Sequence, residues 1–317
     1  MSYQFNVKKS YPIIDGIKIR ASITPELKTA LIKKFQWNVT HVLVEGTMQQ
    51  LKAFNMRYKN MLFKLYETEK STILQVSGSI NSYYNGNNSK NLNYSDLKAA
   101  IASLCEEIGI EPQNAKPINF ELGCVIITTL DPSKIVKQMV SIKHAIPSKT
   151  NSNRGTLREF EFDEFYLKAY DRGKWLDLQE QLLALELKFT TYRSIAKHGI
   201  FTLADFNKKN LRSMAKFFLQ TYKQLIIVDP RLYNSGLSKC RSSFVYQISC
   251  PEQWEEINKD KRNNWKSKYK QLLAEYLPFP SIHEEIMHSL KLEVSRFFGD
   301  NIFDDLTFNE KPDQLAL

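Results

Sequence analysis

The segment EFYLKAYDRGKW, residues 164 to 175, concentrates the side chains best suited to chemistry. Side chains of an extended strand alternate between faces, so Glu164, Tyr166, Lys168 and Tyr170 share one side while Phe165, Leu167 and Ala169 take the other. A phenol keeps its proton at neutral pH. A neighbouring cation or metal lowers the cost of the phenolate, which can then attack phosphorus. The plain alternative is an exposed face of an antiparallel strand with no reaction to perform.

Two acids on other strands extend the pattern. In INFELGCVII, residues 118 to 127, Phe120, Leu122, Cys124 and Ile126 form one face, and Glu121 stands on the other among apolar neighbours. In LLALELKFT, residues 182 to 190, Leu183, Leu185, Leu187 and Phe189 alternate with Ala184, Glu186 and Lys188. Carboxylate oxygens are the ligands that Mg2+ and Mn2+ prefer, so Glu121 and Glu186 on one sheet face could share a divalent ion that binds a phosphodiester oxygen. The competing reading pairs the same acids with Lys168 and Lys188 across strands. Other sites fail on spacing. The stretch HEEIMH sets His283 and His288 five residues apart, on different faces of a helix, which excludes a zinc-protease site. No phosphate-binding glycine loop, nucleophile elbow, Ser/His/Asp grouping or His-x-His pair occurs.

The elements that must position these residues follow from periodicity. Residues 62 to 66 and 72 to 80 flank the polar turn Glu67 to Ser71 and predict a hairpin, with Lys64, Gln75, Ser77 and Ser79 on its polar side. The segment Tyr83 to Asn93 reads as a loop, after which Ser95 caps a helix carrying Leu97, Ile101, Leu104 and Ile108 and ending near Gly109. Asp131 and Pro132 start a second helix that buries Ile135, Met139 and Ile142, followed by a basic loop from Lys149 to Arg154. LREFEF and EFYLKAY form another hairpin, and Arg172 to Trp175 a loop. Residues 62 to 190 thus predict an α+β fold, one antiparallel sheet backed by two helices. Beyond residue 192 the pattern turns helical. Lys208 to Lys223 is amphipathic, and Lys259 to Lys270 is the most basic stretch, where Lys261, Arg262, Lys266 and Lys268 interleave with Trp265 and Tyr269 as a candidate DNA-contacting surface.

Composition bounds the partner. Forty-four Lys and Arg against 34 Asp and Glu give a formal charge of +10, which favours a polyanion, nucleic acid first. Four scattered cysteines build neither a disulfide framework nor a zinc site. The opening MSYQFNVKKSYPIIDG has no apolar run of signal-peptide length and no segment is long enough to span a bilayer, so a cytoplasmic protein without a membrane partner is expected.

Several short motifs, in order, carry a resemblance. LFKLYE (62 to 67), GS-x-x-x-YYN (78 to 85), INFELG (118 to 123), LKAYDRGK (167 to 174) and LALELKFTTYRSIAKHGIFTLADF (183 to 206) resemble the filamentous phage and plasmid replication initiators of the gene II/X type. The likeness covers roughly residues 55 to 210. It implies a ferredoxin-like or HUH-like initiator core and a tyrosine that nicks one strand of an origin, stays bonded to the 5′ phosphate and rejoins ends during rolling-circle replication. It implies Mg2+ or Mn2+ as cofactor. Origin DNA, single-stranded or supercoiled, would be the partner, with a host helicase and polymerase. Carried over by position, the nucleophile falls on Tyr170 with Arg172 and Lys174 as basic neighbours, and Tyr166 is second. The metal-binding acids fall on Glu121 and Glu186, and Lys168 and Lys188 would contact DNA. Where many relatives have a histidine after Gly-Ser, this chain has Ile80 and Asn81. The resulting expectation is a nicking domain over residues 1–205 and a helical, DNA-gripping region over 206–317. A protein of the same fold that binds an origin or operator without cutting it is the rival.

Overall fold

The computed structural model describes residues 14–43, 50–87, 92–153, 155–277 and 280–299. Residues 1–13, Arg154 and part of the stretch expected as the Tyr83 to Asn93 loop lie outside them.

Among the described residues twelve strands form: β1 (Ile14–Ile23), β2 (Asn38–Leu43), β3 (Gln50–Tyr58), β4 (Met61–Glu67), β5 (Thr72–Ser79), β6 (Ala115–Ile127), β7 (Met139–Ile142), β8 (Lys149–Ser152), β9 (Gly155–Glu161), β10 (Phe165–Asp171), β11 (Leu182–Phe189) and β12 (Leu225–Ile227). Ten of them make one antiparallel sheet in the order β2-β3-β4-β5-β1-β6-β11-β10-β9-β8, and β7 pairs with β12 separately. The fold is α+β, as expected, with a sheet larger than residues 62 to 190 announced, because β1, β2 and β3 precede them.

Alternation decides which side of the sheet is buried. Ile17, Ile19 and Ala21 of β1, Phe63 and Leu65 of β4, Leu74 and Val76 of β5 and the four apolar alternates of β6 and of β11 all enter one core. The helices Tyr94–Ile108, Lys208–Lys223 and Ile282–Phe298 contribute their apolar stripes to that same core. Helices therefore back one face of the sheet, and the polar alternates stand on the other. The expected division between residues 205 and 206 falls within the membership of this core. A second apolar cluster, built around Trp254, Trp265 and Tyr269, gathers residues of 228–277 with Val140.

Several local expectations are corrected. The helix begun by Asp131 and Pro132 stops at Lys137, and Met139 and Ile142 belong to β7 instead, paired with β12. The long helix is capped by Asn93, whose side chain accepts from the Asp96 amide while Asp96 returns the bond, so Ser95 lies inside the first turn. The segment after Gly78 opens with a short helix, Ile80–Asn85, capped by Ser79. Lys149 to Ser152 is strand β8, and Arg172–Trp175 is one helical turn.

Candidate active site on the open sheet face

Register sets the site out as a grid. Across β10, β11 and β6 the open face carries Tyr166, Lys188 and Glu121 in one row, Lys168, Glu186 and Gly123 in the next, and Tyr170, Ala184 and Val125 in the third. Strand β9 adds Glu161, Glu159 and Leu157 to the same rows. Glu121 and Glu186 are thus diagonal neighbours on adjacent strands.

Two glycines make room for the acids. A Cβ on Gly123 would stand 2.6 Å from the Leu185 carbonyl oxygen and 2.8 Å from Cγ of Glu186, and one on Gly16 would stand 2.5 Å from Oε2 of Glu121. Neither glycine is required for backbone conformation, so the reason for each is space. Burial, and then the charge of Glu186, pushes the Glu121 carboxyl up to about 7, with Lys188 and Lys168 pulling the other way. Near neutral pH Glu121 therefore holds a proton at little cost. Two carboxylates in a cradle that any larger neighbour would fill suit a hard divalent ion completed by water and substrate oxygens. Among the described residues no group of three or more His, Cys, Asp or Glu converges, so the protein here offers two carboxylates and no third ligand of those types.

Tyr170 sits beside this pair. Its hydroxyl donates to Oε1 of Glu186 at 2.5 Å and accepts from Nη1 of Arg172 at 3.0 Å. Lys168 Nζ lies 3.2 Å from the other Glu186 oxygen and 4.7 Å from the centre of the Tyr170 ring. The ring is only 3% exposed, because Val125, Leu157, Leu182 and Ala184 form a small apolar cluster on the open face and Trp175 covers it at 4.1 Å. Burial and then the Glu186 charge hold the phenol well above its ordinary range, against the pull of Arg172. Tyr166, four residues earlier on the same face, is half-buried, and Lys188 lies over its ring with Nζ 5.5 Å from the centre.

Lys174 does not join the constellation. Asp171 caps the turn that begins at Arg172 by accepting from the Lys174 amide at 3.0 Å, which reverses the chain. The Lys174 ammonium consequently bonds Ser133 at 2.8 Å and lies 3.6 Å from Asp171, on the helix side. Its expected contribution of charge to Tyr170 is corrected accordingly. Residues not foreseen as part of the site are Gly16, Gly123 and Trp175. For Gly16 the signal was present, since IKIRASI alternates through Ile17, Ile19, Ala21 and Ile23 as plainly as any strand in the chain.

The helix Lys259–Tyr276 presents Lys261 and Lys268 to solvent, with Arg262 and Lys266 half-buried. Burial, with Arg262 and Lys270 nearby, lowers the Lys266 pKa. Trp265 is corrected from a base-stacking surface residue to a core one. It is 5% exposed and meets Trp254 edge-on at 5.4 Å. Tyr269 is likewise internal, donating to the Ile227 carbonyl and accepting from the Asp229 amide. Helical spacing puts both aromatics on the inward stripe and Lys268 on the outward one, with Lys266 between the two.

No family model and no curated protein matches this chain. Among solved structures it is similar to a rolling circle replication initiator protein from Geobacillus stearothermophilus, with 10% identical residues, 82% of this chain and 95% of that chain covered, and a TM-score of 0.39.

Proposed function

We propose that the protein is a replication initiator of a phage, plasmid or other mobile element that nicks and rejoins one DNA strand through Tyr170. The observation that carries the reading is the contact between the Tyr170 hydroxyl and Glu186, the diagonal neighbour of Glu121 on the adjacent strand, on the sheet face opposite the helices. In the step this supports, the Tyr170 oxygen bonds to phosphorus and its proton passes to Oε1 of Glu186. The bond from phosphorus to the 3′ oxygen breaks, and that oxygen leaves as the 3′ hydroxyl after taking a proton. Resealing is the reverse. Arg172 is placed to stabilise negative charge on the tyrosine oxygen, and Lys168 to hold Glu186 in position. Mg2+ or Mn2+ held by Glu121 and Glu186 would supply Lewis-acid stabilisation of the phosphate oxygens.

The test is incubation with supercoiled and single-stranded DNA in Mg2+ or Mn2+, followed by detection of a protein–DNA covalent adduct. Native protein should form one and Tyr170→Phe should not. Absence of an adduct from native protein under either metal refutes the reading. A second reading, DNA binding without cleavage, is favoured by one observation, the burial of Tyr170 beneath Trp175. It predicts a mobility shift with no adduct.

A further inference from the structure

The sheet is built from two copies of one unit. The first runs β1, helix Pro25–Lys34, β2, β3, β4, β5, and the second β6, helix Pro132–Lys137, then β7 as an insertion that leaves the sheet to pair with β12, and β8, β9, β10, β11. Reading outward from the centre, the first is ordered β1-β5-β4-β3-β2 and the second β6-β11-β10-β9-β8, and β1 pairs antiparallel with β6. A pseudo-two-fold axis between β1 and β6 relates them. Details repeat as well. The first helix of each unit opens on an N-cap followed by proline, Thr24-Pro25 and Asp131-Pro132. Each last strand runs into a short helix, capped by Ser79 or Thr191, and then a long one, capped by Asn93 or Asn207.

The registers superpose residue by residue. Lys64 and Tyr66 of β4 occupy the places of Lys168 and Tyr170 of β10. Lys64 lies opposite Gln75 where Lys168 lies opposite Glu186. Lys18, opposite Ser77, takes the place of Glu121, opposite Lys188, and Arg20 that of Gly123. On the outer side, Asn55 stands for Glu159. The lysine and tyrosine persist in both units, while each of these three carboxylates gives way to an amide or a cation. Arg20 further holds Gln75 through a 3.2 Å hydrogen bond.

We infer that the open face of the first unit is a second, non-cleaving phosphodiester site for the same DNA strand, in which Lys18, Arg20 and Lys64 take the charge-balancing part that a carboxylate-held metal would take in the second unit. A phosphodiester carries one negative charge, and an ammonium at the Glu121 position meets it directly. Gln75 cannot take a proton from Tyr66 as Glu186 can from Tyr170, so the site grips without cutting. The two sites share one face of one sheet. From β4 to β10 is five strand steps, about 24 Å at about 4.8 Å each, a span one extended strand can bridge. The nature of the ligand rests on the proposed function, but cleavage does not enter.

The experiment measures binding of a labelled single-stranded oligonucleotide of roughly 16 nucleotides by fluorescence anisotropy in EDTA, across roughly 50 to 200 mM salt. The triple variant Lys18→Ala, Arg20→Ala, Lys64→Ala should bind at least tenfold more weakly, and its log K against log salt slope should be shallower by at least about 0.7, the figure for one phosphate no longer neutralised. Lys64→Gln alone, which leaves the Arg20–Gln75 bond intact, should bind more weakly and lower the slope by about 0.7, which guards against misfolding of the triple variant. The inference is overturned if folded variants keep the native affinity and slope, or if native protein binds no single strand. Adduct assays run alongside separate the two readings. Loss of binding in the variants with no adduct from native protein sinks the nicking reading and leaves this one standing. An adduct from native protein with unchanged binding in the variants does the opposite.

Discussion

Replacing Glu121 by Gln should stabilise the protein at alkaline pH, a result that identifies a carboxylate held in place at the expense of the fold. Buried against Glu186, Glu121 keeps its proton up to about 7 in the folded chain, whereas an unfolded glutamate loses it near 4.5. The folded state therefore binds the extra proton between those values. Its associated stability is complete below about 4.5, declines as pH rises toward 7 and is gone above it. At about 1.4 kcal/mol per pH unit across that gap, the ionised carboxyl costs about 3 kcal/mol at pH 8. Gln has nearly the same shape and no charge, so in EDTA Glu121→Gln should exceed native stability by up to about that amount at pH 8, a shift in Tm on the order of 5 °C for a chain of this size. Near pH 4.5 the difference should vanish. Thermal or urea unfolding at a series of pH values measures both limits. Mg2+ or Mn2+ at about a hundred times its Kd should then raise native stability by about 2.7 kcal/mol and leave Glu121→Gln unmoved. An advantage that is absent at pH 8, or equally large near pH 4.5, would refute the claim that charge burial at Glu121 is the cause.

Three further outcomes are expected. Tyr170→Phe, which deletes only the hydroxyl between Glu186 and Arg172, should abolish adduct formation while DNA binding persists, and Tyr166→Phe should be milder; an adduct from Tyr170→Phe moves the nucleophile to Tyr166. Gly123→Ala drives a methyl to 2.6 Å from the Leu185 carbonyl and 2.8 Å from Glu186, so a lowered Tm together with at least tenfold slower adduct formation is expected, and an unchanged rate would show that Glu186 need not be held where it is. On the helix Lys259–Tyr276, Lys261→Ala with Lys268→Ala should weaken binding of all DNAs alike and flatten the salt slope by about 0.7 to 0.9 for each phosphate left without its lysine, whereas Trp265→Ala should cost about 3 to 5 kcal/mol of stability, seen as a fall in urea midpoint rather than as a change in that slope.

Which side chains share a face was legible in the chain alone. Strand alternation is a property of neighbouring residues, so Lys64, Gln75, Glu121, Tyr166, Lys168, Tyr170, Glu186 and Lys188 could be assigned to polar faces of their strands from local pattern, and the register places them on one side of one sheet. The α+β class and the boundaries of the Lys208–Lys223 helix were equally local. What depends on residues far apart in the chain was fixed only on folding. That β1 inserts between β5 and β6 and brings Gly16 against Glu121 follows from long-range strand pairing, which periodicity does not encode. The same pairing makes Glu121 and Glu186 neighbours and relates the two units by a pseudo-two-fold axis. The direction of Lys174 was lost to a single cap, because Asp171 accepting one amide proton turns the strand into a helix and ends the two-residue period there. Trp265 and Tyr269 show the remaining gap. An aromatic stripe on a basic helix has the same pattern whether it faces DNA or a core, and only the presence of Trp254 and Asp229 across from it settles which surface removes it from water.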